Sequence, residues 1–232
     1  MDKTAFDKQA LRRHCFAVHG RLRVIGSPQT ITLADHPAEA LATLLPLLGC
    51  GEEAAAMAFD GLAERHAGTP VAHAALQAIA TEEREHDLII RQLEAALPAP
   101  THGPAMLSAA RRFHVRLTSG GAASHLARIA ALDSAVCTVL SGLLREGQPV
   151  ARDPVARAAL RRIHRDEARH VQVSRGLAMS VGVTRQITDA AVEAREALAN
   201  VLALAADAFE TLAVDPATLD RTLRHLPNGL LA

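Results

Sequence analysis

The chain of 232 residues contains no Tyr and no Trp, and only five Phe. A tyrosyl radical and the usual tryptophan relay are therefore excluded as catalytic devices. Cysteine is scarce too. Cys15, Cys50 and Cys137 form no C-x-x-C pair and no even framework, which fits a reducing compartment. Charge of either sign is not in excess, with 25 basic and 25 acidic residues. That balance excludes the basic footprint of a nucleic-acid binder. No uninterrupted apolar run approaches the roughly 20 residues needed to span a bilayer. The opening Met1-Asp2-Lys3-Thr4 lacks the apolar core of a signal peptide, so a cytoplasmic location is expected.

What is present is a helix-forming composition. Hydrophobic residues make up 49% of the chain and charged residues 22%, as in a globular domain. Ala and Leu dominate and β-branched residues are sparse, which predicts an all-α fold. The length fits one domain over residues 1–232. Pro and Gly punctuate the stripes of period 3.6. They predict helices over about 4–25, 37–67, 70–97, 104–118, 122–146, 154–181 and 185–213, with a small helix near 217–225. Pro46 and the Gly49-Cys50-Gly51 run are expected to kink the second of these. Thr69 and Asp153 each precede a proline and read as N-caps, and the last long helix ends before Asp215-Pro216. The basic segment 104–118 reads as part of a long crossover returning along a bundle.

Two of the predicted helices carry the same signature: Glu83-Arg84-Glu85-His86 and Glu167-Ala168-Arg169-His170. Each sets a carboxylate and an imidazole one turn apart on one face. Chance alone gives about 0.7 Glu-x-x-His matches in a chain with this much Glu and His, so the motifs by themselves say little. Their phase says more. Glu52, Glu83, His86, Asp133, Glu167 and His170 all fall where the apolar stripe calls for a core residue. Glu53 competes with Glu52, but only Glu52 shares the stripe of Leu45, Leu48 and Phe59. A buried charge without a partner is very costly. Four acids and two histidines in core phase therefore point to a pair of divalent cations, with oxygen and nitrogen donors that suit iron or manganese. The bland alternative is a set of solvated helix charges with incidental histidines.

The order acid, E-x-x-H, acid, E-x-x-H over about 37–182 resembles the ferritin-like di-iron carboxylate superfamily. Arg165-Asp166-Glu167-Ala168-Arg169-His170 is similar to the last ligand helix of ribonucleotide reductase small subunits and related oxygenases. The resemblance implies a four-helix bundle with additional N- and C-terminal helices, and two iron ions as cofactor, with manganese as the alternative. It implies that Glu83 and Glu167 bridge the metals. Glu52 and His86 would serve one ion, Asp133 and His170 the other. Asp133 departs from the Glu commoner at its position. Asp166 would hold the ring N–H of a metal histidine; Glu82 is the mirror candidate. His164 and Cys137 lie near the same face, and are read as a surface or second-layer His and a small core Cys.

Such a site implies O2 as co-substrate, an external electron donor, and three competing uses. The absent Tyr and Trp weaken the radical-generating use. Extra terminal helices favour an O2-activating oxidase or oxygenase acting on a small, apolar organic substrate. The alternative is a ferroxidase or iron-binding protein without organic substrate. Ala54, Ala55, Ala56, Ala80, Ala130 and Ala131 near the acids either permit close helix packing or leave room for a guest. Oligomeric state stays open, a homodimer included.

Overall fold

The computed structural model describes residues 30–100, 104–118, 121–180, 182 and 184–226, and the helix expected over about 4–25 lies outside them. Among the described residues there are helices and connections but no strand. The helices are α1 (Asp35–Arg65), α2 (Pro70–Ala95), α3 (Pro104–Leu117), α4 (Ala122–Leu143), α5 (Pro149–Arg152), α6 (Pro154–Ser180), α7 (Arg185–Leu202), α8 (Ala206–Thr211) and α9 (Pro216–Arg224).

Proline opens α2, α5 and α9, where its missing N–H costs nothing. Asp153 accepts the N–H of Ala156 at 2.7 Å at the start of α6. Its other oxygen accepts the N–H and hydroxyl of Thr32, at 2.6 and 2.8 Å, tying the entry strand of chain to that helix. Asp215 accepts the N–H of Thr218 at 2.6 Å. Thr69 occupies the capping position before α2 but its side chain caps nothing; Pro70 supplies the start on its own. α1 runs from Asp35 to Arg65 through Pro46 without ending. Within it, Gly49 lets α2 approach closely, since a Cβ there would sit 3.4 Å from Ile90 Cγ2.

α1 and α2 pack as an antiparallel hairpin, α4 and α6 as another. The hairpins join where α2 meets α6, again antiparallel, with Glu82 opposite His170 and Glu85 opposite Arg162. α2 and α4 therefore run the same way, and the connection between them must return along the bundle. α3 makes that return against α1 and α7. α7 covers α4, α8 rests on α1, and α9 closes over α7.

The helix expected over 185–213 is broken. α7 ends at Leu202, a 3-10 turn covers Ala203–Ala205, and α8 follows. The break re-aims the chain so that Phe209 and Leu212 are buried in the core. α8 itself ends on a left-handed residue, Ala213 at φ 60. The N–H of Val214 bonds back to the carbonyl of Phe209 at 2.9 Å, and that of Ala213 to Glu210 at 2.9 Å. This is a Schellman stop with Ala where Gly is usual.

One polar layer divides the apolar core. Leu41, Leu45, Ile90, Leu140 and Leu160 belong to one cluster of buried side chains. Phe59, Leu62, Leu76, Leu126 and Ala178 belong to the other. On each of the four bundle helices the gap between clusters is filled by the acids and histidines of the two motifs and their companions. By length and hydropathy α1 and α4 could cross a membrane, but here they are the helices that bring Glu52 and Asp133 into this layer.

Candidate metal centre

All six residues in core phase are buried. Glu52 and Asp133 are 5% exposed, Glu167 3%, Glu83 1%, and both His86 and His170 0%. Glu53, one position from Glu52, turns away and stands 3.9 Å from Arg91. Glu52, Glu83, His86 and Glu167 each offer one ligand atom, and the four atoms lie within 4.8 Å of one another. Asp133 and His170 stand outside this tight foursome. His170 Nδ1 comes within 3.0 Å of Glu83 Oε1 and 3.7 Å of Glu167 Oε1. Asp133 is close enough for the charges of Glu167, Glu83 and Glu52 to help raise its carboxyl above the ordinary range.

The arrangement has an approximate twofold logic. His86 Nδ1 faces Glu52, Glu83 and Glu167 at 3.2, 3.4 and 3.4 Å. Its Nε2 faces away, 3.3 Å from Asp166 on α6. His170 Nδ1 likewise faces the acids, while its Nε2 lies 2.8 Å from Glu82 on α2. Each histidine is thus held by the acid preceding the glutamate of the other motif. The two rings stack at 5.7 Å, and Phe59 meets His170 edge-on at 6.1 Å. Arginines back the outer acids: Arg169 Nη2 is 2.6 Å from Glu82, and Arg165, Arg162 and Arg169 lie 3.5–4.0 Å from Asp166.

The acids cannot all be ionised on their own. Burial pushes Glu52 well above the ordinary carboxylate range, against the pull of His86 and with the push of Glu83 and Glu167. Burial raises Asp133 as well, helped by the charges of Glu167, Glu83 and Glu52. Burial and then the Glu83 charge raise Glu167 to about 7. For Glu83 burial works the same way, but the imidazoles of His170 and His86 outweigh it and take it down to about 2. Burial disfavours both imidazolium ions, yet the surrounding carboxylates outweigh it and raise both histidines.

The buried carboxylates and imidazoles fit a metal site. Both oxygens of Glu83, Oδ2 of Asp133 and Nδ1 of His170 are buried without a hydrogen bond among the described residues. The 3.0 Å contact of His170 with Glu83 is too poorly aligned to count as one. Buried polar atoms are almost always satisfied, and these unsatisfied atoms all belong to the layer of buried acids and histidines. The donors are carboxylate and imidazole with no thiolate, the set suited to iron or manganese.

Beside the acids lies an apolar cavity of about 350 Å³. Glu52, Glu83, Asp133 and Glu167 form part of its wall, and Leu44, Leu47, Val139, Leu143 and Phe209 line one arm. The alanines near the acids divide between two roles. Ala54 and Ala55 line the cavity, whereas Ala80 and Ala130 are fully packed. His164 is turned toward α4 and lies 2.9 Å from Ser141 Oγ. The Cys137 thiol donates to the carbonyl of His164 at 3.9 Å, and burial pushes it up to about 12. Two histidines that sequence reasoning passed over, His114 and His125, line the cavity. His125 could have been found, because it sits four residues before Ile129 and eight before Asp133 on the same face of α4.

No family model matches the chain, and no curated protein matches it. Among solved structures it is similar to Protein 19 with aldehyde deformylating oxidase activity from Synechococcus. The TM-score is 0.64 at 20% identity, covering 82% of this chain and 87% of that chain. The fold is ferritin-like. The four-helix core and the flanking C-terminal helices follow the architecture expected from the sequence.

Proposed function

We propose that this protein is a di-iron oxidase or oxygenase that uses O2 to oxidise a small, apolar organic molecule. The observation that carries the reading is the apolar cavity walled on one side by four buried acids. A storage site has no use for such a space. The activity named for the structural neighbour points the same way.

Glu52, Glu83, His86, Asp133, Glu167 and His170 would hold the two ions. We assign Glu83 and Glu167 as the shared ligands because each faces both imidazoles, at 3.0–3.7 Å. Two ferrous ions, when bound, supply electrons to O2 and so an oxidant. The chain's own residues do the rest. Asp166 and Glu82 accept the Nε2–H of His86 and His170, which fixes the tautomer and aims Nδ1 inward. The Leu, Val and Phe walls admit an apolar guest and exclude water from the acids. An external donor would return the electrons.

The test is to load metal-free protein with Fe(II) under anaerobic conditions, mix it with O2 and follow absorbance. A transient absorbance that decays faster when an apolar substrate is added supports the reading. Continued turnover of Fe(II) into a mineral core would move the assignment to iron storage. Indifference to O2 with a tight Mn(II) pair would move it to a manganese enzyme.

A further inference from the structure

The cavity is not uniformly apolar away from the acids. One arm ends among Leu143, Val201, Leu202 and Phe209. The other ends at His125, Arg65 and Thr118. His125 lies near the start of α4, and Arg65 in the last turn of α1, the helix running antiparallel to it, so they meet at the same end of the bundle. His125 is 3% exposed, and among the described residues its Nδ1 has no hydrogen-bond partner. An imidazole nitrogen so enclosed and unsatisfied forfeits free energy unless a ligand meets it.

The charges around it say what sort of ligand. Arg65 and Arg128 are near enough for their positive charges, added to the effect of burial, to hold the imidazole neutral, down to about 4. The N-terminal end of α4 contributes a positive partial charge of its own, and no acidic residue occupies its first turn. A neutral imidazole N–H flanked by two guanidinium groups suits an anionic acceptor. From His125 to Asp133 the helix rises about 12 Å, and Ile129 and Leu132 line the cavity between.

We propose that His125, with Arg65 and Arg128 beside it, forms an anion-binding pole that takes the carboxylate of an elongated aliphatic substrate. The chain of that substrate then passes the acid layer and ends in the arm lined by Leu143 and Phe209. The carbon presented to the metals is one within the chain, about 12 Å from the carboxylate, and not the polar end itself. The proposal rests on the oxidase reading for its purpose, but binding at the pole needs no metal and is measured separately.

The experiment uses metal-free full-length protein and two probes, dodecanoate carrying a 13C carboxyl carbon and uncharged dodecanol. Calorimetry gives affinities and the 13C shift reports the carboxylate's surroundings. Dodecanoate is expected to bind more tightly than dodecanol. His125→Leu should weaken dodecanoate by about tenfold, the worth of one hydrogen bond to a charged group, and leave dodecanol within about twofold. Arg65→Gln, at an exposed position, should weaken dodecanoate alone and shift its 13C signal. Equal affinity for the two probes, or unchanged dodecanoate binding in both variants, overturns the pole. So does dodecanoate binding that appears only after iron is added, because the carboxylate would then sit on the metals. If the pole binds as expected but no O2-dependent oxidation of any aliphatic chain follows, the oxidase reading fails while the pole stands.

Discussion

At the scale of single residues, the two acids outside the ligand layer separate this site from a chance cluster. Asp166 and Glu82 each hold the far nitrogen of a histidine from the opposite helix. Asp166→Asn or Glu82→Gln should lower metal affinity by about 10- to 100-fold without unfolding the chain; competition with a chelator measures it. Glu83→Ala should cost both ions and His86→Ala mainly one, as read by elemental analysis. If Glu83→Ala lost one ion only, its shared role would be wrong. Metal-free protein has a pH dependence of its own. Glu167, raised from 4.5 to about 7 in the fold, adds stability that is complete below pH 4.5 and lost as pH rises through 7. The raised histidines act in the same sense from 6.5 upward. Glu83, lowered to about 2, acts oppositely, but only between pH 4.5 and 2. Metal-free protein should therefore unfold in less urea at pH 7.5 than at pH 5, and bound metal should reverse that order. The burial of these groups was legible because an acid in core phase breaks the apolar stripe that surrounds it. The crossed pairing was not, since a stripe says which face of a helix is inward but not which neighbour it meets. The phase of His125, shared with Ile129 and Asp133 on α4, was legible too, but a lone histidine in that phase names no role by itself.

At the scale of elements, helix starts were easier to read than helix ends. Proline and a preceding Asp mark α6 and α9 because both change the backbone chemistry of the first turn. The stop of α7 at Leu202 carries no such sign: Ala203-Leu204-Ala205 has neither Gly nor Pro, and only the packing of Phe209 and Leu212 demands the turn. The end of α8 provides a test. Ala213 sits at φ 60, a conformation that costs a residue with a Cβ about 1 kcal/mol. Its carbonyl accepts from Gln148 Nε2 at 2.8 Å, so the turn is held from outside. Ala213→Gly keeps both Schellman bonds and should stabilise the protein by up to about 1 kcal/mol, seen as a higher urea midpoint at unchanged slope. A loss of stability would mean that the entropy of glycine in the unfolded chain outweighs the relief.

At the scale of the whole molecule, a polar layer between two apolar clusters makes folding and metal binding one problem. The clusters hold the four helices in register from either side of the acids. Metal that binds only the folded state stabilises it by mass action. At free metal about 100-fold above Kd the gain is about 2.7 kcal/mol, or roughly 5–10 °C in Tm for a chain of this size. Chelation should remove that increment. The most direct test of the central claim is elemental analysis of full-length protein expressed with ample iron. Because the chain has no Tyr or Trp, its concentration must come from peptide absorbance or amino-acid analysis. Two ions per chain, iron foremost, is the predicted result. A stoichiometry near zero for every transition metal would contradict it.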